Sequence, residues 1–386
     1  MRLFLVAGEH SGDALGAKLI SALKARSRED VTIAGVGGDE MAAQGLRSLF
    51  PIEEVAVMGP LNILPKLPRI VARVFETVRA AIAFQPDVVI IIDSPEFTHP
   101  IAKRIRKRMP GIPIIDYVSP SVWAWRPGRA KKMRGYIDHV LCLLPFEPAA
   151  HQRLGGPACT YVGHPLIEKL GDIENADAGG LAARLGIGEG TPVLLVLPGS
   201  RTSEVQRLID VFGETVNRLA RATPGLQAII PAVPHVRPII EERSRIWRVV
   251  PHIVDGASDK YAAMRLARAA LAASGTVTLE LALAGTATVV AYKTDQMTAT
   301  IVRQLKTTAT VVLPNLVLGE LVYPEFLQED CAAEKLAAAL LPLLEETPAR
   351  RAQLAALTRV PGKMKLAHGT PSAAAAELVL NTLARA

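Results

Sequence analysis

The sequence predicts an α/β protein built from two Rossmann-like, doubly wound domains in series. Three observations carry this: a length of 386 residues, short apolar runs that alternate with helix-length periodic segments, and a restart of that alternation beyond a weakly patterned stretch near the middle. At roughly 100 to 200 residues per domain, the length suits two domains, each able to bury its own core. Repeated strand and helix imply a mostly parallel sheet covered on both faces, with ligands beyond the carboxyl ends of the strands.

In chain order, residues 3–7 read as a strand, 14–26 as a helix, 31–36 as a strand and 70–84 as a helix. Residues 88–92 and 114–118 follow as β-branched strands, the first apolar throughout, as a strand buried on both faces must be. The segment 171–190 carries Asn175, Asp177, Gly179 and Gly180, has the weakest periodic signal and reads as a linker. The alternation then resumes with strand 193–197, helix 203–222, strands 227–231 and 269–273, helix 277–284 and strand 287–292. Ala-rich segments 332–344 and 372–386 read as terminal helices. Two such domains in series predict a cleft between them.

Composition excludes several classes. With 49% hydrophobic and 21% charged residues, the chain is too apolar for intrinsic disorder. Cys142, Cys159 and Cys331 are widely spaced and form no CxxC pair, so neither a disulfide framework nor a zinc knuckle is indicated, and a reducing compartment fits. The apolar start, residues 3–7, is cut short by Gly8-Glu9-His10 and reads as a first strand instead of a signal peptide. No run is long and apolar enough to span a bilayer. A charge of +7 favours anionic partners, but aromatics at 4% supply too few stacking platforms for single-stranded nucleic acid.

Several motifs follow predicted strands. Gly8-Glu9-His10-Ser11-Gly12-Asp13, with Gly16, has GxxxGxxxG spacing in place of the GxGxxG of a dinucleotide fold, which disfavours a nicotinamide enzyme. Its small residues allow close approach of a helix N-terminus, and Ser11 or Asp13 either caps that helix or meets substrate. Asp93 ends an apolar strand, where a carboxylate serves as a general base, caps the next helix or pairs with Lys103 or Arg104. Trp123 and Trp125 run into Arg126, Arg129, Lys131, Lys132 and Arg134, which suits sugar stacking, a membrane interface or a packed corner with a solvated helix behind it.

Leu197-Pro198-Gly199-Ser200-Arg201 is a Gly-containing loop opening a helix, and amides, dipole and guanidinium together suit a diphosphate; alternatively Arg201 bridges to Glu204. Ala273-Ser274-Gly275-Thr276 repeats that design, and Glu280, one turn into the helix, is placed to accept from vicinal sugar hydroxyls. The eight histidines show no HxxxH or HxH ligand pattern, although His164 in Gly163-His164-Pro165 stands out, so neither metal nor other cofactor is expected. Residues 57–75 are proline-broken, apolar and basic, and read as a loop leading into a basic amphipathic helix that is either membrane-seeking or core.

Taken together, these motifs, the run Tyr117-Val118-Ser119-Pro120-Ser121-Val122-Trp123-Ala124-Trp125-Arg126, Leu313-Pro314-Asn315 and Pro324-Glu325-Phe326-Leu327-Gln328 resemble the lipid-A-disaccharide synthase family, in order across nearly the whole chain. The resemblance implies a GT-B glycosyltransferase with residues 1–170 as the acceptor and membrane-facing domain, 171–365 as the UDP-sugar-binding domain, and a C-terminal helix, 366–386, packing back on the first. It implies inverting transfer from UDP-2,3-diacylglucosamine to the 6-hydroxyl of 2,3-diacylglucosamine 1-phosphate, releasing UDP without a divalent metal. Asp93 becomes the general base and Arg201 the diphosphate contact. Ser200, Ser274, Gly275, Thr276, Glu280 and Asn315 surround the UDP-sugar, while Ser11, Gly12 and His164 complete the substrate-binding set. Lipid substrates imply a cytoplasmic protein resting on the anionic inner face of the cytoplasmic membrane, with a homodimer left open.

The chain departs from the family pattern at three places. Ser94-Pro95-Glu96-Phe97-Thr98 replaces Ala-Pro-Asp-Phe-Asn after Asp93, which leaves Glu96 without an assigned role. His10 occupies a position more often small, and Asn62 replaces an acidic residue. The competing readings are another UDP-amino-sugar transferase or epimerase, and a membrane-bound nucleotide-sugar binder without turnover.

Overall fold

The computed structural model describes residues 1–27, 29–56, 66–295 and 308–385. The chain divides into two compact units, Met1–Glu168 with Lys365–Ala386, and Lys169–Met364.

The first unit holds a six-stranded parallel sheet: β1 (Arg2–Ala7), β2 (Thr32–Val36), β3 (Val88–Ile92), β4 (Ile114–Tyr117), β5 (His139–Cys142) and β6 (Ala158–Tyr161), in the order β2-β1-β3-β4-β5-β6. Every residue of β3 is buried, as the apolar run Val-Val-Ile-Ile-Ile requires of a central parallel strand. Helices α1 (His10–Arg26), α2 (Leu67–Phe84) and α3 (Pro95–Arg108) join these strands, with shorter helices α4 (Gly128–Met133) and α5 (Glu147–Arg153) further on. From β1 the chain moves to β2 on one side, then returns to β3 on the other. Doubly wound folds bind ligands at that reversal. The C-terminal helix Pro371–Leu383 places Ala375, Ala376 and Val379 in the same core as Leu19, Ile20 and Leu23 of α1.

The second unit repeats the design with β7 (Val193–Leu197), β8 (Gln227–Pro231), β9 (His252–Val254), β10 (Ala269–Ala273), β11 (Thr288–Tyr292) and β12 (Glu325–Leu327), in the order β12-β11-β10-β7-β8-β9. Its strand order reverses between β7 and β10. Helix α6 (Thr202–Ala222) buries Val205, Leu208, Ile209, Phe212 and Val216, an i, i+3, i+4, i+7 stripe, against the sheet core. Helices α7 (Gly256–Leu266) and α8 (Val277–Leu283) complete the parts that matter for the site.

Three sequence expectations differ from the structure. The supposed linker 171–190 is folded: helices Leu170–Glu174 and Ala178–Leu185 occupy it, Ile173 and Leu181 are buried, and Asp177 accepts from Gly180 N at 2.8 Å to cap the second helix. The strand expected to reach residue 118 stops at Tyr117, because Val118 has φ +86°, a conformation that ends a ladder. Strands β5, β6, β9 and β12 were not legible; they are three or four residues long and three of them are sheet edges. Of the apolar segment 57–75, residues 57–65, with Asn62, lie outside the described residues, as does Ala386 at the end of the last expected helix.

Candidate functional site

At the reversal in the first unit, the loop after β1 and the loop after β3 come together. Glycine makes this possible. A Cβ on Gly8 would stand 2.5 Å from Ser94 Cβ, and one on Gly12 would stand 3.2 Å from the Ile92 carbonyl oxygen. The small residues therefore let the first turn of α1 lie directly on the end of β3. Asp93 and Ser94 follow that strand with φ +53° and +46°, two successive left-handed residues without glycine. Such strain persists where the surroundings impose it, and it concentrates at functional sites.

The Asp93 carboxylate is held by two donors: Ser94 N at 2.7 Å to Oδ1 and Ser11 Oγ at 3.4 Å to Oδ2. Burial pushes its pKa above the ordinary carboxylate range; the two hydrogen bonds oppose that shift and the Asp116 charge adds to it. Among the described residues no cation pairs with Asp93. Arg104 instead lies over the Phe75 ring and Lys103 over Tyr136. Nor does Asp13 cap its own helix. Its buried carboxylate accepts from Gly38 N, Glu40 N and Met41 N at 2.7 to 3.0 Å, capping the short helix Asp39–Ala43. Ser11 is exposed and Gly12 buried beside it.

The tryptophan run is a packed corner with a basic outer side. Trp123 Nε1 donates to Glu147 Oε1 at 3.1 Å, and its ring meets Phe146 edge-on at 5.1 Å. Glu147 also accepts from Leu144 N at 2.9 Å; burial pushes its pKa to about 7 despite those donors. Trp125 faces outward enough for the Arg126 guanidinium to stack on it at 4.4 Å. Glu96 pairs with Arg129 and lies 3.6 Å from Arg126 Nη1.

In the second unit three separate stretches converge on one cavity of about 410 Å³ at the β7/β10 reversal. Gly199, Ser200 and Arg201 come from the loop after β7, Ser274, Gly275 and Thr276 from the loop after β10, and Glu280 from α8. Gly199 has φ +118°, and a Cβ there would fall 2.7 Å from Glu204, so the turn admits only glycine. Arg201 precedes α6, is 54% exposed and is tethered by Glu204, whose Oε1 lies 3.0 Å from Nη1. Two helix N-termini, hydroxyls and a tethered but exposed guanidinium make this cavity suited to an oxygen-rich anion. Lys260, which sequence reasoning missed, contacts Glu280 at 2.8 Å and gives the cavity a second cation. Among the described residues no three His, Cys, Asp or Glu side chains are placed to hold a metal ion.

The family model for lipid-A-disaccharide synthetase matches residues 3–377. A lipid-A-disaccharide synthase from Rhodopseudomonas palustris strain HaA2 is 52% identical over 382 residues, covering 99% of this chain and 96% of that protein. The chain belongs to the lipid-A-disaccharide synthase family. Another lipid-A-disaccharide synthase, from Ruegeria pomeroyi, is 43% identical over 391 residues, covering 99% of this chain and 96% of its own. Among solved structures, the UDP-GlcNAc 2-epimerase of Neisseria meningitidis bound to UDP-GlcNAc matches with TM-score 0.65 at 14% identity, covering both chains fully. The S. aureus MnaA–UDP structure matches with TM-score 0.63 at 10% identity, covering 99% of this chain and 96% of that one. These likenesses are of fold, and the fold is GT-B.

Two residues that the resemblance to lipid-A-disaccharide synthases assigned to substrate are not among those lining the second unit's cavity. His164 is buried in the first unit, where Nδ1 accepts from Leu166 N at 3.2 Å and burial lowers its pKa to about 4, so the ring is neutral. Its neighbour Gly163 packs under the returning C-terminal segment, where a Cβ would stand 2.8 Å from Leu366. Asn315 is 1% exposed and spends its amide on backbone: Oδ1 accepts from Val322 N and Tyr323 N, and Nδ2 donates to the Tyr323 carbonyl. Neither lines the cavity that gathers Arg201 and Glu280.

Proposed function

We propose that this lipid A-forming glycosyltransferase transfers the diacylglucosamine of UDP-2,3-diacylglucosamine to the 6-hydroxyl of 2,3-diacylglucosamine 1-phosphate, with Asp93 as the general base. Asp93 carries this reading: it is a carboxylate without an ion-pair partner among the described residues, at the switch point of its sheet, with a raised pKa and two donors fixing its orientation. It takes the hydroxyl proton as that oxygen bonds to the donor's anomeric carbon. The bond from that carbon to the diphosphate oxygen breaks, its electron pair leaves with UDP, and attack from the opposite face inverts the centre. A positioned base of this kind contributes roughly 10² to 10⁴ in rate.

The second unit supplies the leaving-group side. Backbone N–H groups at Ser200 and at Ser274, Gly275 and Thr276, together with Arg201, stabilise the negative charge that develops on the diphosphate, and Glu280 accepts from ribose hydroxyls. Ser11 and Gly12 border the acceptor beside Asp93. Burial and backbone bonding give His164 and Asn315 a supporting role, holding the chain at Leu166 and at Val322–Tyr323.

Both substrates carry acyl chains, and α2 offers a way to reach them. Leu67, Val71 and Phe75 recur every four residues on one face and are 44 to 49% exposed, with Lys66, Arg69, Arg73 and Arg79 on the same helix or its start. Among the described residues no helix is long and apolar enough to cross a membrane. The protein is therefore proposed to rest on the anionic inner face of the cytoplasmic membrane through this stripe. A homodimer would register in light scattering as twice the 41.3 kDa chain.

Purified protein mixed with both substrates in detergent containing EDTA is expected to yield UDP and a tetra-acyl disaccharide phosphate by mass spectrometry. No product from folded protein that binds UDP would reject the assignment.

A further inference from the structure

We infer that the basic cavity formed by Lys103, Arg126, Arg129 and Lys132 in the first unit receives the 1-phosphate of the acceptor sugar; this rests on, and deepens, the function proposed above. The cavity measures about 440 Å³ and lies between the first turns of α3 and the Arg126–Lys132 stretch, with Tyr136 in its wall. Four cations face it against one carboxylate, Glu96. Arg129 and Arg126 converge on that carboxylate, whereas Lys132 has no ion-pair partner among the described residues and Lys103 makes only a cation–π contact, 4.9 Å from the Tyr136 centroid. A surplus of positive charge in a concavity attracts a multiply charged anion more strongly than the same charges do on a flat surface. Arg126 is also held in place, stacked on Trp125 at 4.4 Å with φ +54°, a strained backbone for a residue that only faced solvent.

Position selects the ligand. Pro95 and Glu96, in the cavity wall, are two and three residues beyond Asp93. An extended chain spans at most about 3.6 Å per residue, so the wall begins within about 7 Å of the proposed base. On the acceptor the reacting 6-hydroxyl hangs from C5 and the 1-phosphate from C1, the two carbons that flank the ring oxygen, so both groups stand on the same side of the sugar and a short separation between base and cations suits them. A base at the 6-hydroxyl and a cluster of cations at the 1-phosphate then fix both position and direction of the acceptor, while the donor's diphosphate has its own cavity in the second unit. Guanidinium forks recognise phosphate by paired, charge-assisted hydrogen bonds, and Glu96 holds two such forks in readiness.

The test compares two acceptors, 2,3-diacylglucosamine with and without the 1-phosphate, in neutral-detergent micelles. Lys103→Ala and Lys132→Ala remove exposed side chains and keep the fold; Arg129→Ala removes a more buried one. Each is expected to raise KM for the phosphorylated acceptor on the order of tenfold with donor KM unchanged, and to match wild type on the acceptor lacking phosphate. Equal loss on both acceptors, or no loss on either, overturns the inference. Variants with normal micelle kinetics but weakened binding to phosphatidylglycerol vesicles overturn it too, because the cations would then serve bilayer headgroups. A wild-type protein that transfers nothing to the phosphorylated acceptor defeats the proposed function itself, and this subsite with it.

Discussion

Ser11 Oγ lies 3.4 Å from Asp93 Oδ2, joining the first turn of α1 to the end of β3 across the point where the strand order of the first unit reverses. Residues 82 positions apart thus define one polar spot in an otherwise apolar strand end. The contact opposes the burial that raises the Asp93 pKa.

Replacing that donor has a definite sign. Ser11→Ala removes a bond to the charged form, so the Asp93 pKa rises further and the acid limb of kcat/KM moves to higher pH, with little change on the alkaline plateau. A pH–rate profile identical to wild type would remove Ser11 from the account.

Gly8 is required for space. Gly8→Ala sets a methyl 2.5 Å from Ser94 Cβ, neither atom being the end of a flexible chain, so the turn carrying Asp93 must move. A loss of about 1 to 3 kcal/mol in urea unfolding is expected, with reduced turnover. Gly111→Ala, which meets nothing within 4 Å, is the neutral control.

Arg201 is 54% exposed, so its loss should spare the fold. Arg201→Ala is expected to lower kcat by roughly 10² to 10³ and to weaken UDP binding in calorimetry, and Arg201→Lys to recover only part, because an ammonium lacks the bidentate fork.

Glu147 gives the fold a pH dependence. Its folded pKa, pushed to about 7, lies above the unfolded value, so the folded state binds the extra proton between about 4.5 and 7. Stability from this group is fully present below that window and is lost as pH rises through it, by roughly 3 kcal/mol. Glu147→Gln should flatten the dependence of Tm on pH across that interval.

Much of this was legible from short patterns. Strands β3, β7 and β10 are apolar and fully enclosed, as is β1 from Leu3 onward, and the loops carrying Asp93, Arg201 and Ser274 follow β3, β7 and β10, so strand ends located those three together. Edge strands such as β9 and β12, three residues each, have too few positions to display a period. Lys260 escaped notice because it acts through Glu280, 20 positions away and on a different helix. The roles of Glu147 beneath Trp123 and of Asn315 under Tyr323 rest on tertiary hydrogen bonds that no linear spacing announces. The acidic residue in Gly12-Asp13 misled for a related reason: its bonds go to the backbone of residues 38–41.

Asp93→Asn tests the central claim most directly. The amide keeps shape and size but takes no proton, so transfer to the 6-hydroxyl should fall by roughly 10² to 10⁴ while UDP affinity is unchanged. Because burial raises the Asp93 pKa above its unfolded value, the ionised carboxylate lowers the stability of the folded state once pH has risen through that pKa, and an amide removes this cost, so Tm at pH 7 should hold or rise. A folded Asp93→Asn protein that forms disaccharide at the wild-type rate would contradict the account.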